Sequence, residues 1–165
     1  SPRLGDRSLA VLDDMLAWTG GNKRLVGEVD VFAIDHTQEL YAHMNVNYLR
    51  LDRVPRPDDW SSLLPVLQRG ELFTTTGEVL VRRFEPSRGG VSAELEWTLP
   101  LDHARVVWSA DGERREAVIR LASTTEHGRA SFTFPLDLSG ADWARLEVWD
   151  VARDGAFTPA ADLPP

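Results

Sequence analysis

Four histidines, His36, His43, His103 and His127, are the side chains best placed by type to hold a metal or move a proton near neutral pH. The first two stand near acids, in Asp30, Asp35-His36 and Glu39-Leu-Tyr-Ala-His43-Met. Neutral imidazole suits zinc or nickel, and the carboxylates suit manganese. A hydrolytic centre, however, needs three or more protein ligands and an open position for water. Asp30, Asp35, His36 and His43 supply oxygen and imidazole donors without closing such a set. No tightly held metal is expected on this chain alone.

Other chemistry is thinner. There is no cysteine, which removes disulfides, thiolate zinc sites and cysteine nucleophiles together. No Gly-x-Ser-x-Gly is present, and Gly20-Gly21 and Gly89-Gly90 lack the strand–glycine–helix setting of a phosphate loop. Thr74, Thr75 and Thr76 could line a pocket at a strand end, but β-branched residues filling a strand explain them more simply. Trp97, Trp108, Trp143 and Trp149 could stack on sugars. Trp97 is in phase with a buried stripe and reads as core. Trp149 is out of phase with Leu146 and is the better exposed candidate.

The totals narrow the classes. At 165 residues the chain suits one medium domain or two small ones. A hydrophobic share of 42% and mean hydropathy of −0.27 allow a buried core. The net charge of −8 offers no field for phosphate backbones, so nucleic acid is not an expected partner. No apolar run approaches the roughly 18 to 20 residues that cross a bilayer. Ser1-Pro2-Arg3 carries no initiator Met, which reads as a cut through a longer reading frame.

These residues must be positioned by a recognisable order of elements. Leu9, Leu12, Met15 and Leu16 form one apolar stripe on a helix from about Asp6 to Trp18. Val26 to Ile34 and Asn47 to Leu51 read as strands. Arg56-Pro57-Asp58-Asp59 starts a second helix, with Trp60, Leu63, Leu64 and Leu67 as its buried face and Gly70 as its stop. Beyond Gly77 the period becomes two. Val91, Ala93, Leu95, Trp97 and Leu99 alternate with polar residues, and further strands follow at Ala104, Ala117, Ala130, Leu146 and Ala156. Leu95, Trp97, Val107, Ile119, Phe132, Phe134, Leu146 and Val148 are the expected core. The fold class is α+β, mainly β: residues 1–80 an α/β remnant, residues 81–165 an antiparallel β-sandwich.

The stretch Leu67-Gln-Arg-Gly-Glu-Leu-Phe-Thr-Thr-Thr-Gly-Glu-Val-Leu80 resembles the Arg-Gly-x-x-Phe-x-Thr-(Thr/Asn)-Gly signature of PHP (polymerase and histidinol phosphatase) metal-dependent hydrolases of the CehA/McbA-type branch. Trp143-Ala-Arg-Leu-Glu-Val-Trp-Asp150 and Asp154-Gly-Ala-Phe157-Thr are similar to that family's closing domain, and the likeness runs over roughly residues 25–163. It implies the C-terminal part of a metallohydrolase, an immunoglobulin-like sandwich behind the end of a catalytic barrel. An Asp-x-His pair on the last barrel strand closes the family's metal centre, which makes Asp30 and His36 the implied metal ligands here. Phe32 occupies the second place of that pair. In the full-length parent the resemblance implies zinc or manganese and a metal-activated water acting on a phosphoester, ester or carbamate. This chain by itself is expected to be inactive. The contrasting expectation is an accessory sandwich that contacts sugar, cell surface or another subunit. The first helix needs a partner for its apolar stripe, either the sandwich itself or a second copy in a homodimer.

Overall fold

Residues that alternate apolar and polar form the two sheets, and the computed structural model describes them within residues 6–19, 23–27 and 45–164. The smaller sheet has the order β3 (Val79–Ser87), β4 (Gly90–Trp97), β7 (Gly128–Pro135). The larger runs β1 (Val46–Leu49), β2 (Leu72–Thr75), β9 (Gly155–Phe157), β8 (Ala141–Asp150), β5 (Leu101–Ala110), β6 (Glu113–Arg120). β10 (Ala161–Asp162) pairs with β8 beyond the end of β9. Every pairing among the described residues is antiparallel. The protein is α+β and mainly β, and its described residues form a sandwich of two sheets with two helices.

Val79, Val81, Val91, Leu95 and Trp97 of the small sheet meet Leu101, Ala104, Val106, Leu146 and Val148 of the large one in the main core. Fully burying such a side chain contributes roughly 1.5–3 kcal/mol, so this layer holds the sheets together. Two tryptophans also repair glycine gaps across their strands. Trp97 is opposite Gly128, where an added Cβ would lie 2.1 Å from the indole. Trp149 is opposite Gly155, where a Cβ would meet its ring at 2.6 Å. Each ring covers the bare backbone of its partner, the role aromatic residues take over strand glycines.

A third layer lies on the outer face of the large sheet. Helix α1 (Asp6–Thr19) places Leu16 and Ala17 against Val107, Trp143 and Ala160, while Leu9 and Leu25 close over Phe157. α1 thus lies back on the sandwich. The expected stripe is split, because Leu12 and Met15 are exposed and Asp13 takes the inward position. Val107 is likewise core to this outer layer and not between the sheets, while Ile119 and Phe132 are only partly buried at the main core.

Helix α2 (Leu63–Arg69) is shorter than its sequence pattern. Asp59 accepts from the backbone and hydroxyl of Ser61, and an Arg56–Asp59 bridge keeps the preceding segment in turns. Pro65 then falls in the first helical turn, where its missing N–H has no partner to lose. Val66 is the buried residue; Trp60 and Leu64 are exposed, which corrects the expected face. Gly70 ends the helix at φ +71°, its N–H bonded to Leu67. Of the strand expected at Val26 to Ile34, Val26 and Gly27 are in no strand and the rest lies outside the described residues.

Candidate functional site

The expected metal ligands Asp30 and His36, with Asp35 and His43, lie outside the described residues. What flanks them is well built. Asn47 donates from its amide to the Gly27 carbonyl at 2.7 Å and accepts the Gly27 N–H at 3.0 Å. Thr74 donates to the same Asn47 oxygen at 2.7 Å. A Cβ on Gly27 would stand 2.8 Å from the Cβ of Asn45 and 2.4 Å from a Thr74 methyl. Gly27 and Asn45 are therefore neighbours at the β1–β2 edge. Among the described residues, no group of three or more His, Asp or Glu side chains is placed to hold a metal. The described part of the chain does not fit a hydrolytic metal centre, and no reaction step is derived through one.

The three threonines bond inward. Thr75 donates to the Val79 carbonyl and accepts the Gly77 N–H at 2.9 Å. Thr76 accepts the Gly155 N–H at 2.9 Å. Thr74 thus bonds to β1, Thr75 closes the β2–β3 turn, and Thr76 ties that turn to β9.

The strongest electrostatic feature was hidden in the alternation of β8. Trp149 read as an outward residue, yet Trp143, Arg145, Glu147 and Trp149 on its face of β8 are all buried, with α1 over Trp143 and Arg145. Arg145 and Asp13 are each 1% exposed. Arg145 Nε donates to Asp13 Oδ1 at 2.6 Å and its Nη2 bonds both Asp13 and, at 2.6 Å, Glu147. Glu147 also accepts the Trp149 indole N–H at 3.1 Å and faces Arg105 across the ladder at 3.5 Å. Trp149 is thus no exposed sugar platform. Burial pushes the Asp13 carboxyl up, against the pull of Arg145. Burial would lower Arg145, but its bonds to Asp13 and the charge of Glu147 raise it, so the guanidinium stays charged. Asp13, Arg145 and Glu147, sealed from water, fasten α1 to the sheet and offer no substrate access.

The remaining histidines lie apart. His103 Nδ1 is 2.8 Å from Asp102, which also binds Arg120. The hydrogen bond from His103 holds the Asp102 carboxyl below its ordinary range. His127, at φ +50°, lines a cavity of about 380 Å³ with Glu78, Glu96, Trp97 and Arg129. There Glu96 is neutralised by Arg82, and Arg129 by Glu94. A second cavity, of about 530 Å³, lies between the end of β1 and α2 and is lined by Arg50, Arg53 and Arg69. Its residues come from two stretches, 50–53 and 62–71, and the arginine pair in Arg50-Leu51-Asp52-Arg53 was the one local signal for it. Comparison with known protein families, with curated proteins and with solved structures returned no match.

Proposed function

We propose that this chain is the C-terminal portion of a PHP-type metal-dependent hydrolase, in which an immunoglobulin-like sandwich supports a catalytic barrel built by preceding sequence. The observation that carries this reading is the placement of exposed apolar side chains. Among the described residues, all the large exposed ones but Val118 and Val151 fall within the first 64 positions. On α1, Val11, Met15 and Trp18 form a second apolar face opposite the one that docks on the sheet, and Trp18 is 83% exposed. Tyr48 stands exposed on edge strand β1, and Trp60 is 62% exposed before α2. Such clustering marks a covered surface in the working protein. The Leu67–Leu80 motif adds support as the helix end, glycine cap, buried strand and turn that the resemblance implies.

In this reading the parent activates a metal-bound water against a phosphoester, ester or carbamate, with Asp30 and His36 among its ligands, and the present chain contributes support rather than chemistry. The test is the coding sequence before the Ser1 codon, followed by expression of the longer protein. A His-x-His motif upstream, with shielding of Trp18 and Trp60 from quenchers in the longer protein, is the expected result. A start codon directly before Ser1, with a dimer that buries the same tryptophans, would replace this reading with a subunit-contact module.

A further inference from the structure

Among the arginines whose side chains are described, all but Arg50, Arg53 and Arg153 have a hydrogen bond or ion pair from the guanidinium. Two of these three line one cavity, of about 530 Å³. Its inner wall includes buried Val66 and half-buried Leu51, and Ser62 supplies a hydroxyl. Arg69 and Glu71, also in the lining, neutralise each other through two hydrogen bonds of 2.9 Å. Asp52 is the remaining acid, so the lining keeps one net positive charge on a chain of net charge −8.

We infer that this cavity binds a small phosphomonoester, its phosphate between Arg50 and Arg53 and its apolar body against Leu51 and Val66. A carboxylate has two oxygens and is satisfied by one guanidinium fork. A phosphate has three terminal oxygens and accepts from two forks at once. The volume suits a small molecule, and the acidic chain around it disfavours a polyanion. This inference rests on the cavity alone and not on the hydrolase reading.

Binding, not turnover, tests it. Phenyl phosphate titrated into the 165-residue chain at low salt, followed by calorimetry, is expected to saturate one site. Benzoate should bind at least about tenfold more weakly. Arg50→Gln and Arg53→Gln should each weaken phenyl phosphate by about tenfold, the loss expected for one charge-assisted contact. Arg153→Gln removes an arginine elsewhere that likewise makes no hydrogen bond or close ion pair, and should change nothing. Both cavity arginines are exposed, so circular dichroism should confirm that the variants fold. Absence of saturable binding, equal affinity for benzoate, or an equal loss in Arg153→Gln would overturn the assignment.

Discussion

Asp13 on α1 and Arg145 on β8, separated by 132 positions, meet in a two-bonded carboxylate–guanidinium fork that is sealed beneath the helix. The fork explains why α1 presents an acid, and not a complete apolar stripe, to the sheet. Removing one partner strands a buried charge, which costs about 3–5 kcal/mol. Asp13→Ala should therefore lose stability on that scale in urea denaturation. Asp13→Leu combined with Arg145→Met should recover part of it, since apolar replacements leave less charge unpaired. A loss in Asp13→Ala below about 1 kcal/mol, the range of exposed pairs, would place the fork in solvent.

Asp13 and Asp102 should titrate on opposite sides of 3.8, the ordinary aspartate value. Burial raises Asp13, so the folded chain holds that proton more tightly than the unfolded one. Its ionisation opposes folding at neutral pH, and this opposition fades as pH falls through its folded value. The His103 hydrogen bond lowers Asp102, which contributes stability above 3.8 that is lost as pH falls through its folded value. Carboxyl carbon chemical shifts followed by NMR would show the two midpoints separating. Coincident midpoints would contradict both environments.

Phe134 is buried and Phe132 is only partly so, stacked on Phe134 at 6.0 Å and tilted against Trp97 at 5.9 Å. Phe134→Ala should cost about 3–5 kcal/mol and Phe132→Ala distinctly less. Equal losses in thermal denaturation would mean that both rings sit equally deep.

Gly128→Ala should destabilise by about 1–3 kcal/mol, since the new methyl would occupy space held by the Trp97 indole. Near-ultraviolet circular dichroism should report the displaced ring. A neutral substitution would show that Trp97 moves freely.

The sheets were legible where one face is core and the other is wet. In β4, Val91, Ala93, Leu95 and Trp97 are buried at every second position, as their spacing predicts. The same logic misread β8, whose two faces are both covered, so Trp149 looked outward. α1 covers Trp143 and Arg145 on that face and is too distant in sequence for any local period to register. The start of α2 was misplaced because Asp59 and Ser61 satisfy each other in a turn. Asp30 and His36 lie outside the described residues, and the arginine cavity joins the Arg50–Arg53 stretch to Arg69 at the end of α2.

The docking of α1 also sets a timetable. Asp13 on α1 is made 132 positions before Arg145, and Trp143 and Ala160 are likewise late relative to it. The large sheet has the same order built in, because β8 and β9 link β1–β2 to β5–β6. At about 5–20 residues per second, a ribosome holds the chain for seconds with the landing site of α1 still unmade. During that interval Leu9, Leu16 and Ala17 have no surface to land on, and contacts of such long range form slowly once available. A cell making this protein must shield α1 until β8 arrives.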